Sequence, residues 1–192
     1  MDQREISIES FLTDIHEIRR QGFATEAIHS YLRETLIEPA SLQRYIFFRT
    51  DRYTRNLVYK DDAFELLVIC WNINQHAPVH GHEGERCWSR VEQGQLCFCS
   101  YRELSENPLI VQQISEPYCG ARGHLDGPAD IHKVENLLSA GEPAVSLHLY
   151  SRPYDRCDIY DLAKSEKRQV RLQYDSLYGK LNDSQILHQR LD

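Results

Sequence analysis

The hydrophobic periodicity of this 192-residue chain changes once, near Tyr45, and that change narrows the folds open to it. Before it, Phe11, Leu12, Ile15 and Ile18 recur at helical spacing behind Ser7 and Ser10, and Gly22 stops the run. Ala27, Ile28, Tyr31 and Leu32 make a second amphipathic stretch, and Pro39 is expected to end the helical pair. Beyond Tyr45 the pattern is that of strands: Tyr45–Phe48, Arg55–Tyr59, Leu66–Trp71, Cys87–Glu92, Gln95–Tyr101, Leu109–Ile114, Ala144–Tyr150 and Gln169–Tyr174. Turn signals at Lys60-Asp61-Asp62, Glu92-Gln93-Gly94, Glu116-Pro117 and Ala140-Gly141-Glu142-Pro143 fall at intervals suited to antiparallel hairpins. Many short strands in succession predict a mainly β barrel, with residues 1–40 as an N-terminal helical segment packed on it. There is no repeat, low-complexity tract or linker, so residues 1–192 read as a single domain.

Charge and cysteine usage exclude several function classes. Lys plus Arg total 22 against 29 Asp plus Glu, a net charge of −7, and no basic stripe interleaved with aromatics is present, so nucleic acid is not an expected partner. No run of about 18 apolar residues exists to span a bilayer, and the N-terminal residues lack a signal-peptide core. The chain is therefore read as a cytoplasmic monomer without a membrane partner. Six cysteines (Cys70, Cys87, Cys97, Cys99, Cys119, Cys157) do not follow zinc-ribbon spacing, and a chain this rich in core residues has no need of disulfide staples. Free thiols are expected, including the pair Cys97 and Cys99 on one strand face.

His80-Gly81-His82 puts two imidazoles at a spacing of two, the spacing at which strand residues share a face. Two such rings can hold one metal ion, and the apolar run Phe64–Trp71 before them reads as a buried strand able to act as a rigid scaffold. Cys87 and Gly94 follow, and the whole spacing resembles the first cupin motif, in which a glutamate normally occupies the place of Cys87. His132-Lys133-Val134-Glu135-Asn136 resembles the second cupin motif, although Ala129 stands where that motif usually has glycine. The fold this implies is a cupin barrel, jelly-roll-like. Three neutral imidazoles without a carboxylate leave a metal's full charge in place, so such a site wants an anionic ligand.

A thiolate would supply it, and the chain resembles the iron-dependent cysteine dioxygenases. The matching segments are Arg52–Val58, Cys70-Trp71, His80-Gly81-His82, Cys87, His132–Asn136 and Glu142–Ser151, in that order along residues 45 to 160. The resemblance implies that His80, His82 and His132 hold Fe(II), beside which a small-molecule thiol and O2 meet. It implies that Arg55 clamps the substrate carboxylate, with Tyr53 assisting, a task suited to a planar guanidinium. It implies further that Tyr150 places its hydroxyl beside the bound sulfur and oxygen, that His148 and Ser146 orient it, and that Cys157 and Trp71 wall the pocket. Cys87 is expected to form a thioether crosslink to Tyr150. Strand alternation agrees on one point independently: Val145, Leu147 and Leu149 fall on one face of their strand, and Ser146, His148 and Tyr150 on the other. That polar face either meets solvent or lines the lumen.

The expected activity is conversion of L-cysteine and O2 to cysteine sulfinic acid. One departure bears on the substrate. After Tyr150-Ser151 the animal enzymes have proline, whereas this chain has Arg152, either a solvated loop residue or a second guanidinium selecting 3-mercaptopropionate. The role of Arg86, near the expected pocket edge, is left open. A dioxygenase of another small thiol is the nearer alternative, and a non-catalytic metal-binding cupin the farther.

Overall fold

The computed structural model describes residues 3–182. The expected domain limits at residues 1 and 192 lie outside them. Helix α1 (Ile8–Arg20) opens on Ser7, whose hydroxyl accepts from the Ser10 amide at 3.2 Å, and it ends ahead of Gly22, at φ 100°. Helix α2 (Thr25–Glu34) follows. Strands β1 (Arg4–Ile6) and β2 (Thr35–Ile37) pair in parallel and bracket the two helices. Pro39 does not close the helical segment as expected. It is the first residue of a short helix, α3 (Pro39–Leu42), where its missing N–H costs nothing.

The rest is two facing sheets. In one, the order is β10 (Leu125–Ala129), β6 (Arg86–Gln93), β12 (Ala144–Ser151), β4 (Glu65–Trp71), β3 (Thr54–Lys60), β15 (Ser176–Leu177) and β16 (Lys180–Leu181). In the other it is β14 (Glu166–Arg171), β13 (Arg156–Asp161), β5 (His76–His80), β11 (Ile131–Glu135), β7 (Gln95–Glu106) and β8 (Leu109–Gln113), with β9 (Tyr118–Ala121) also on β7. The mainly β architecture is thus as the periodicity predicts, and the two facing sheets agree with the cupin barrel that the motif resemblance implies.

Three apolar clusters show how the layers stack. Ile8, Phe11, Ile15, Ile28 and Leu32 of the helices pack on Leu66, Val68, Cys70, Val145, Leu147 and Leu149, the outer face of the first sheet. Leu57, Leu67, Ile69, Trp71 and Ala144 of that sheet's inner face meet Ala77, Leu96, Phe98 and Val134 of the second sheet. Val79, Ile131 and Tyr160 cover the second sheet outside. The helices explain why every residue of β12 is buried although it alternates polar with apolar: its apolar face goes to the helices and its polar face to the lumen. Gly94, at φ 68°, turns β6 into β7 where a Cβ would sit 2.5 Å from the Pro143 carbonyl oxygen.

Several expectations fail locally. Tyr45–Phe48 is not a strand: a 3₁₀ turn ends at Tyr45, and the Phe47 carbonyl accepts from the Thr54 hydroxyl rather than from a neighbouring strand. The strand expected over Gln169–Tyr174 ends at Arg171. Cys97 and Cys119 are not free thiols. Register places them opposite each other on β7 and β9, where they form a disulfide, while Cys70, Cys87, Cys99 and Cys157 are free and buried.

Candidate metal centre

His80 is the last residue of β5, and β5 lies between β13 and β11, so its terminal side chain is fixed from both sides. His132 is the second residue of β11 and pairs in register with His80. Since Val79 and Ile131 point outward, both histidines point into the lumen. His82 lies two residues past the end of β5 rather than on the same strand face, so its ring is aimed by the turn. Its Nδ1 donates to the Asp130 carbonyl at 2.8 Å.

The three rings converge, with centroids 4.8 to 5.1 Å apart and ligand atoms all within 4.8 Å of one another. Each Nδ1 is occupied: His80 at the Pro78 carbonyl (2.9 Å), His82 at Asp130, and His132 at Asp126 Oδ2 (2.8 Å). A carbonyl or carboxylate can only accept, so the proton sits on Nδ1 and the Nε2 lone pair faces the lumen. The Nε2 atoms of His82 and His132 are buried and have no hydrogen-bond partner among the described residues. Burial, followed by the charge of His132, holds His80 down to about 3, and burial holds His82 well below its ordinary range. Three converging imidazoles, preoriented through their Nδ1 atoms, suit a transition-metal ion, and the residues present fit one.

The rest of the lumen face is polar and ordered. Trp71 Nε1 donates to Ser146 Oγ at 2.9 Å, Ser146 Oγ lies 2.8 Å from His148 Nε2, and His148 Nδ1 lies 3.2 Å from the Tyr150 hydroxyl. Tyr150 faces Cys87 directly across β12 and β6. Burial pushes the Cys87 thiol and the Tyr150 phenol well up, so both stay protonated. Arg55 enters from β3, its guanidinium 5.7 Å from the Tyr150 ring centre, with Nε and Nη2 buried and unpartnered among the described residues. Tyr53 stacks on Trp71 at 4.7 Å. Cys157, on β13, is buried, and burial pushes its thiol up to about 11. Asn136 holds the ends of these strands together, donating to the carbonyls of Trp71 (3.2 Å) and Glu142 (2.9 Å).

The family model for cysteine dioxygenase type I matches residues 1–163. Human cysteine dioxygenase type 1 is 30% identical over 190 residues, 93% of each chain, and the zebrafish (Danio rerio) protein is 30% identical over 192 residues, 94% of each. The chain belongs to the cysteine dioxygenase type I family. Among solved structures, an RmlC-like cupin from Desulfovibrio desulfuricans aligns at TM-score 0.39 and 17% identity, covering 61% of this chain and 98% of that one.

Within this cysteine dioxygenase family member, the two arginines of open role lie outside the lumen. Arg152 is 72% exposed, its amide donating to Glu85 Oε2 and its guanidinium pairing with the same carboxylate. Arg86 packs over Trp88 and Phe23 and donates to the Phe23 carbonyl, the Thr25 hydroxyl and the Ser151 hydroxyl. Sequence reasoning missed Asp126, which fixes His132 and in turn accepts from the Tyr118 hydroxyl at 2.6 Å. Its only signal is Asp-Gly-Pro, a turn signature that marks the register shift between Asp126 and Ala129. Tyr154, 5.1 Å from the Tyr150 ring and 6.0 Å from His82, was missed as well.

Proposed function

We propose that this protein oxidises the thiol of L-cysteine to cysteine sulfinic acid, adding both atoms of O2 to the sulfur, with iron(II) held by His80, His82 and His132. The observation that carries the reading is the convergence of three histidines in one lumen, two of them with unpartnered Nε2 atoms, beside a guanidinium whose Nε and Nη2 are unpartnered among the described residues. Family membership points to the same substrate. Iron(II), when bound, supplies the coordination positions and the redox chemistry that O2 requires.

The protein's own residues divide the remaining work. Arg55 grips the substrate carboxylate through two parallel N–H bonds and so fixes where the sulfur lies. Tyr53, Trp71 and Cys157 wall the cavity against water. The chain from Trp71 to Tyr150 runs in one direction. Indole can only donate, so Ser146 accepts from it and passes its own proton toward His148 Nε2. His148 then donates from Nδ1 to the Tyr150 oxygen, leaving the Tyr150 O–H free to donate to the oxygenated sulfur. Burial keeps His148 neutral, as this chain requires. The register pairing of Cys87 with Tyr150 across β6 and β12 supports a thioether between them. That bond replaces one S–H and one ring C–H, and O2 takes up the two hydrogens.

The test is simultaneous measurement of oxygen uptake and sulfinate with cysteine, 3-mercaptopropionate and cysteamine. Cysteine should be turned over best, with one O2 consumed per sulfinate. Preference for 3-mercaptopropionate would move the assignment to another thiol, and uptake independent of any thiol would end it.

A further inference from the structure

Glu65 opens β4, is fully buried, faces Lys60 of β3 in register and has the Tyr174 phenol as a neighbour, and no described guanidinium or ammonium is hydrogen-bonded to either carboxylate oxygen. Alternation puts it on the lumen side, because Leu67, Ile69 and Trp71 on the same strand all belong to the inner cluster. Its register partner on β12 is Tyr150, over whose ring the Arg55 guanidinium lies. A buried carboxylate without a counter-charge costs several kcal/mol, and so does a buried guanidinium, so each makes the other tolerable. Burial works to lower the Arg55 pKa, yet the net shift is upward, with Glu65 among the groups that raise it.

We propose that Glu65 is the internal counter-charge of Arg55, and that its carboxylate keeps the anion pocket weak toward carboxylates that bring no metal-binding sulfur. The proposal rests on the reading of Arg55 as the carboxylate clamp. Charge balance carries it. A divalent ion on neutral imidazoles, a substrate thiolate and a substrate carboxylate sum to zero, so Arg55 alone would leave the filled cavity positive. Glu65 cancels that excess, and it opposes any carboxylate entering the pocket. Cysteine overcomes the opposition by coordinating through sulfur, whereas a plain carboxylic acid cannot.

The experiment is calorimetric titration of the iron-loaded, full-length protein with propionate under anaerobic conditions, alongside thermal unfolding. Glu65→Gln keeps the shape and removes the charge, so propionate should bind about tenfold more tightly. Arg55→Gln should abolish measurable propionate binding. Unchanged or weaker binding in Glu65→Gln, with Arg55→Gln still abolishing it, overturns the counter-charge role alone. Propionate binding that survives Arg55→Gln overturns the clamp itself. Should Glu65→Gln fail to fold, the double variant Arg55→Gln/Glu65→Gln must fold, since both charges are then gone; failure of both overturns the proposal.

Discussion

Arg55→Gln separates carboxylate recognition from the chemistry at sulfur. The guanidinium presents two buried N–H-bearing atoms, Nε and Nη2, that no described residue engages. A substrate carboxylate would therefore gain two charge-assisted hydrogen bonds, worth about 1.5–3 kcal/mol each. Glutamine can restore one neutral bond, which leaves a net loss of about 3 kcal/mol. At 1.36 kcal/mol per factor of ten, kcat/KM for cysteine should fall roughly 150-fold. Cysteamine has no carboxylate for Arg55 to bind and should change by less than about threefold. Oxygen-electrode rates with mass-spectrometric sulfinate detection read both substrates in one protein preparation. Equal losses for cysteine and cysteamine would mean that Arg55 supports the cavity as a whole, and an unchanged rate on cysteine would refute the clamp.

Three further outcomes are expected. Asp126→Ala removes the acceptor that fixes the His132 tautomer and should weaken metal binding by about 10- to 100-fold in competition with a chelator. Gly94→Ala forces a Cβ against the Pro143 carbonyl at positive φ and should cost about 2–4 kcal/mol in denaturant unfolding. Asp61 accepts from the amides of Ala63 and Phe64 and from Tyr59, and pairs with Arg19 of α1. Burial would raise its pKa, but these donors outweigh burial and hold it below the ordinary 3.8. Its stabilisation is therefore complete above that value and lost as pH falls through the lower folded-state pKa, and Asp61→Asn should remove this part of acid sensitivity.

Where side-chain alternation or capping was written into the local sequence, the fold was legible. The strand Ala144–Tyr150 could be read because its lumen face is polar, and Ser7 and Gly22 mark the ends of α1. The strands that carry two of the histidines were not. β5 contains Pro78 and only five residues, and β11 is as short, so neither has a β-branched alternation of its own; both exist because neighbours pair with them. Tyr45–Phe48 erred the other way, since an aromatic run was read as a strand although it begins in a 3₁₀ turn and its Phe47 carbonyl accepts from the Thr54 hydroxyl. The histidines were found because their chemistry is visible in spacing, whereas Asp126, Glu65 and the partner of Cys97 depend on register across strands, which spacing does not encode.

Metal analysis coupled to turnover under ¹⁸O2 tests the central claim most directly. The protein should carry one iron per chain, lose activity when His132→Ala removes a ligand, and yield sulfinate in which both oxygen atoms come from the labelled gas. Sulfinate labelled at one oxygen, or full turnover by protein that holds no iron, would contradict it.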